Sequence, residues 1–221
     1  MRKIATINGS DIIELDDGSV RFFAGATIDG DGGNGQFGQP PCYAPDSYGG
    51  QTLDILPNAG EPGNWYGVIT NTGKKTGKPI VQKKSDPCPG AYVSATSLYL
   101  PGNNGEPLPD SSPLKYVDSA TVPFVAVPPI IVKAVADPVL GCHCLVTSSV
   151  TGRTTDAVVA DVGPSNHLGE ISVACARALG VSTGTTHPAN GGGASSPTVR
   201  YQLFPGKAAV VNGVTYPLQR C

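Results

Sequence analysis

The 221 residues carry 14% charged side chains and a formal net charge of −2, while 29 glycines and 21 prolines together approach a quarter of the chain. That balance gives no electrostatic drive toward nucleic acid or acidic membrane surfaces, and no run of 18 apolar residues exists to span a bilayer. The length supports one substantial core, and Gly and Pro spread among apolar runs predict a loop-rich β protein of one domain, residues 1–221.

The opening "MRKIATINGSDIIELDDG" has two basic residues, but no apolar stretch of signal length and no small-residue cleavage pattern. Either a leader has been removed, or export follows another route, or the protein stays inside. "DIIELDDGSVRFF" predicts a hairpin around Asp16-Asp17-Gly18. A short strand over 26–28 runs into the Gly-rich "DGDGGNGQFGQPPCYAP". "GNWYGVIT" and "KPIVQKK" read as a strand pair joined by "NTGKKTG", and "AYVSATSLYL" as a further strand. Residues 101–113 hold four prolines and form a polar loop, a candidate insertion or flap.

In the second half, "VPFVAVPPIIVKAVAD" predicts strands whose prolines suit ends and edges. "CHCLVTSSVTGRTTDAVVAD" predicts a strand, a Thr-Gly turn and a strand that ends on Asp161. After Gly163-Pro164 comes the one predicted helix. Ile171, Ala174, Cys175, Ala178 and Leu179 form its apolar stripe, Ser165 or Asn166 its cap and Gly180 its stop. The tail "VRYQLFPGKAAVVNGVTYPL" closes in strands. The prediction is a mainly β sandwich or barrel with one packed helix, and periodicity does not separate the two.

Six widely spaced cysteines favour an oxidising destination with up to three disulfides, in any of fifteen pairings. The "CHC" at Cys142–Cys144 lacks the second spaced pair that a zinc site needs, so no metal or cofactor is assigned. Asp29 and Asp31 suggest a calcium loop, but its fifth, sixth and twelfth places hold Gly33, Asn34 and Pro40.

In "ADVGPSNHLGE" an apolar run ends on Asp161, a Gly-Pro turn follows, and Glu170 comes at the predicted helix start. Fully extended, nine steps span about 30 Å, but the turn folds the two acids back to about 5–10 Å. Cleaving a glycosidic bond needs such a pair, one acid protonated to release the leaving oxygen and one ionised to activate water or attack the sugar. Acids also sit at helix starts and strand-turn junctions for ordinary structural reasons.

The stretch "DAVVADVGPSNHLGEISVACARALG" resembles the main motif of the chitosanases of glycoside-hydrolase family seventy-five. That motif runs from an apolar strand ending in Asp, through a polar turn, to Gly-Glu opening an Ala/Ser-rich helix. "ATIDGDGGN" resembles that family's Asp-x-Asp-Gly block, and "VPFVAVP" a weaker apolar block. The resemblance implies a β-barrel-like core, of double-psi type, with a flanking helix and Asp161 and Glu170 as the catalytic pair. It implies an inverting endo-hydrolase of β-1,4-linked glucosamine polymer. Where the family often has Cys within the Asp-x-Asp block, this chain has Gly30, so no disulfide pairing carries over.

A helix N-terminus would favour an ionised Glu170 as base, with Asp161 as acid, although a long Glu reaching the leaving group is also reasonable. Asp29 and Asp31 are candidates to pair with a glucosamine ammonium, or they form a solvated turn. Trp65 and Tyr66 are candidates to stack on a sugar face, core packing being the alternative for Trp65. His167 lies between the acids and could hold one or shuttle a proton; His187 opens a Gly/Ser/Pro loop that could flank the cleft. No Gly-x-Ser-x-Gly elbow supports a serine hydrolase.

Three functions follow: a chitosanase-type hydrolase, a peptidoglycan glycan-strand hydrolase such as a secreted effector, or a non-catalytic carbohydrate-binding barrel. The expected partner is a polysaccharide, chitosan or peptidoglycan, with no nucleic acid and no membrane. The expected state is a monomer, secreted or in the cell envelope.

Overall fold

A computed structural model of the chain describes residues 1–35, 42, 59–182 and 194–220. Strands β1 (Arg2–Ile7) and β2 (Ser10–Glu14) pair through Asn8-Gly9, both with positive φ, the turn whose twist suits a two-residue hairpin. The predicted hairpin follows. Asp17 accepts from the Ser19 N–H and hydroxyl at 3.0 and 2.7 Å, and the chain turns into β3 (Val20–Asp29). Along β3 buried and more open residues alternate, which fixes one face inward.

Short strands β4 (Gly60–Glu61) and β5 (Asn64–Trp65) form a small separate ladder. The predicted strands between 68 and 100 are chiefly isolated bridges, such as Val68–Ser94 and Val81–Tyr92, inside an irregular but hydrogen-bonded excursion. Apolar alternation was present there, yet frequent Gly, Pro and Lys-rich turns leave each run too short for a ladder.

Strand β6 (Phe124–Val127) leads into helix α1 (Pro129–Ala134). This corrects the expectation of a strand over "PPIIVKA": Pro129 stands at the first helical position, where its missing N–H is harmless, and Ile131 anchors the turn in the core. Strands β7 (Cys142–Ser148) and β8 (Thr154–Val162) form the predicted antiparallel pair. Strand β9 (Glu170–Ser172), helix α2 (Val173–Leu179), the long β10 (Ala194–Ala208) and the hairpin β11 (Val210–Val211) and β12 (Val214–Thr215) complete the fold.

The sheet order is β1-β2-β3-β10-β7-β8-β6-β9, with β9 returning to β3. Six strands therefore close into a barrel, β1 and β2 extend it, and the sandwich alternative falls away. The pairings β3–β9 and β6–β8 are parallel. Inside, Phe22 stacks on Tyr201 at 4.9 Å among buried Val, Ile, Leu and Cys side chains.

Helix α2 begins later than predicted. Its cap is Ser172, whose hydroxyl accepts from the Cys175 N–H at 3.0 Å, while Gly180 ends it in the left-handed conformation as expected. The buried face is Val173, Cys175, Ala176 and Leu179, whereas Ala178 is exposed. Glu170 and Ile171 are strand residues, drawn out of the helix by pairing with β3 and β6 on both sides.

Of the six cysteines, Cys42 and Cys88 form a disulfide, while Cys142, Cys144 and Cys175 are free thiols in the core. Burial pushes the Cys142 thiol up to about 12, as expected of a core residue. On β7 the two cysteines of "CHC" point inward and His143 points out to Asp156, 2.7 Å away, so strand alternation rules out a shared zinc. Cys221 and His187 lie outside the described residues.

Candidate active site

The pairing of β3, β9, β6 and β8 brings the two acids of the main motif together. Thr27 pairs with Glu170, Glu170 with Ala126, and Ala126 with Asp161, forming one rung across four strands. Side chains on a rung share a face, and the neighbours Val125 and Val127 point into the core, so this rung faces outward. Asp161 and Glu170 stand two strand spacings apart, about 10 Å between Cα atoms, with Ala126 of β6 on the strand between them.

A bulge makes this register possible. Val125 pairs with Val159 but Ala126 with Asp161, so Ala160 is an extra residue on β8. Its carbonyl accepts from the Leu98 N–H at 2.8 Å, which anchors the excursion to the barrel. Such a bulge re-aims the side chain that follows it. Here that side chain is Asp161.

Both acids line an open cleft of about 860 Å³, together with Asp29, Asp31, Tyr66, Lys75, Ser97, Tyr99 and His167. Asp161 is nearly covered at its floor. Its Oδ1 accepts from the Ser97 hydroxyl at 2.5 Å, the Val162 N–H at 2.7 Å and the Ser97 N–H at 3.0 Å. Burial raises the Asp161 carboxyl above the usual carboxylate range, and these bonds, the Ser97 hydroxyl foremost, only partly oppose it.

Glu170 is half-buried, and its carboxylate occupies the space where residue 163 would carry a side chain. A Cβ on Gly163 would lie 1.9 Å from Glu170 Oε2. The glycine of the Gly-Pro turn is thus the floor on which the acid rests, and its N–H is tied to the Val127 carbonyl at 3.0 Å.

The Asp-x-Asp-Gly block meets the same cleft from β3. Asp31 donates its N–H to Asp29 Oδ1 at 2.8 Å, and the chain then turns at Gly32. Gly32 has φ +75°, and a Cβ there would meet the Val117 carbonyl at 2.0 Å. Asp29, Asp31 and Asp161 each offer an oxygen within 4.8 Å of the others. A single cation, organic or metallic, could be shared at that spacing, and mutual repulsion would favour it.

Tyr66 is 55% exposed on the cleft wall, with the Lys75 ammonium 5.7 Å from its ring. Trp65 is a correction: it is 5% exposed, packs edge-on against Tyr92 and forms a small core with Ala59 and Val68. Alternation along β5 sends Trp65 inward, so it offers no face to a sugar. His167 pairs with the Thr27 hydroxyl at 3.1 Å, and burial lowers its pKa below the ordinary imidazole value, favouring the neutral ring.

Ser97, Thr27 and Tyr99 complete the site without having been singled out in the sequence. Ser97 is 64 residues from Asp161, and nothing local to either residue announces the contact.

In comparisons with known proteins, no family model and no curated protein matches the chain. The site therefore stands on its own geometry.

Proposed function

We propose that the protein is an endo-acting glycoside hydrolase that cleaves β-1,4-linked glucosamine polymer by inversion. The observation that carries this reading is the rung: two carboxylates on one outward face, separated by Ala126 and lining one open cleft of about 860 Å³. About 10 Å between Cα atoms leaves carboxyl groups room for a water, as inversion requires.

The raised Asp161 carboxyl suits the general acid. It gives its proton to the leaving glycosidic oxygen as the C1–O bond breaks. Glu170 takes a proton from the water that attacks C1 from the opposite face. The expectation that a helix terminus keeps Glu170 ionised no longer applies, since Glu170 lies on β9; the assignment rests on the burial of Asp161 instead. Asp29 and Asp31 supply negative charge for an ammonium group, and together with Glu170 they outweigh Lys75 in the cleft while Asp161 holds its proton, which favours a cationic polymer. Tyr66 offers an open ring to a sugar face. The disulfide Cys42–Cys88 is compatible with an extracellular protein, and we place the enzyme outside the cell or in its envelope. Among the described residues no helix is long and apolar enough to cross a membrane.

The test is reducing-sugar release from chitosan, chitin and peptidoglycan, with the product anomer followed by NMR. Release from chitosan with the inverted anomer first, reduced about 10²–10⁴-fold in Asp161→Asn and in Glu170→Gln, is expected. Release from peptidoglycan alone would reassign the substrate. No release from any polymer by the folded protein would end the reading.

A further inference from the structure

Tyr99 is 48% exposed on the cleft wall, yet its surroundings fix it. Its backbone N–H donates to Gln219 Oε1 at 3.1 Å, and its carbonyl accepts from Gln219 Nε2 at 2.6 Å, so one side-chain amide from the chain's far end grips both groups. The Lys115 ammonium lies 4.4 Å from the ring centroid. It is held by Asp110 at 2.5 Å, with its own side chain only 13% exposed, and it is not among the residues lining the cleft. Tyr116 abuts the ring edge-on at 6.1 Å. Tyr99 is thus backed by a cation over its ring and flanked by a second aromatic ring, while it lines the cleft and stays nearly half exposed.

Position along the chain places this ring beside the reacting acids. Leu98 is fully buried and its N–H is bound to the Ala160 carbonyl, while Ser97 and Tyr99, on either side of it, both line the cleft. Ser97 grips Asp161, and Tyr99 follows two residues later, past a bend in the chain. A large ring held rigidly at low entropic cost and half open to solvent suits stacking, because aromatic faces attract the weakly positive C–H groups of a pyranose ring.

We propose that Tyr99 forms a sugar-binding subsite on the Asp161 side of the cleft, stacking on the apolar face of a hexopyranose unit next to the cleaved bond. The proposal rests on the glycoside-hydrolase reading for its substrate, and its test separates the two. Tyr99→Ala and Tyr99→Leu are compared with wild type for chitosan cleavage. The same changes in a Glu170→Gln background are titrated with a β-1,4-linked glucosamine hexamer by calorimetry. Each variant is expected to weaken hexamer binding about three- to tenfold, with the kinetic loss falling mainly on KM and Tyr99→Phe lying closer to wild type. Tyr99→Leu preserves apolar bulk should Tyr99→Ala fold poorly.

Undiminished hexamer binding in the folded variants, alongside an active wild type, overturns the subsite and leaves the hydrolase reading intact. Binding by a wild type that cleaves nothing, weakened by these variants, supports the subsite and removes the hydrolase. Neither cleavage nor binding by the wild type overturns both.

Discussion

Ser97→Ala perturbs the acid without touching its carbon skeleton. The hydroxyl makes the shortest of three hydrogen bonds to Asp161 Oδ1, at 2.5 Å, and all three favour the carboxylate. Two backbone N–H donors remain after the substitution. A bond to a charged acceptor contributes about 1.5–3 kcal/mol, so its loss moves the Asp161 equilibrium toward the protonated acid by roughly ten- to a hundredfold or slightly more.

If Asp161 is the general acid, activity falls as pH rises through its pKa, and the variant's alkaline limb moves upward by about 1–2 pH units. The assay is kcat/KM against pH on one chitosan preparation, for the wild type and the variant. Titration of the polymer's own amines is common to both and cancels in the difference. An upward move of the acidic limb instead would make Asp161 the base. Two coincident profiles would refute the claim that the Ser97 bond controls a titrating catalytic group.

Three further outcomes follow from the geometry. Because burial raises the folded-state Asp161 carboxyl, the protonated carboxyl's stabilisation is complete at low pH and lost as pH climbs through the raised value. Asp161→Asn does not titrate, so its Tm should exceed wild type at neutral pH and converge with it in acid; a gap independent of pH would contradict this. Gly163→Ala places a methyl against Glu170 Oε2 and should lower kcat by about a hundredfold, the cost of a misplacement of about 1 Å, with little change in Tm. Ser172→Ala removes an N-cap and also frees the Val122 carbonyl and Phe124 N–H that the hydroxyl joins at 2.8 and 3.0 Å. Denaturant titration should show a loss of about 2 kcal/mol, while the pH profile stays put.

What could be read from the sequence were features governed by neighbours along the chain. The Asp17-Gly18 turn, the β7–β8 pair and the glycine stop of α2 have local causes: a side chain bonding two residues on, a period of two, a left-handed cap. The strand ending on Asp161 belongs with them. The start of α2 was misplaced because the helical spacing of Ile171, Ala174 and Cys175 competes with two-sided sheet pairing of Glu170–Ser172, and pairing satisfies more backbone groups. Trp65 faced inward because an extended pair places its two side chains oppositely, and only tertiary packing decides which of Trp65 and Tyr66 is covered. Ser97, Gly163 and Tyr99 act through contacts across a closed barrel, which no spacing along one segment reveals.

The supernumerary Ala160 also makes the seam between the barrel and the excursion hang on a count of residues rather than on chemistry. Removing that single codon would bring β8 into even step with β6 with Asp161 still opposite Ala126, but the carbonyl that holds the Leu98 N–H would leave with it. A lineage could therefore loosen or restore that seam by a three-nucleotide slip, with every acidic residue still encoded.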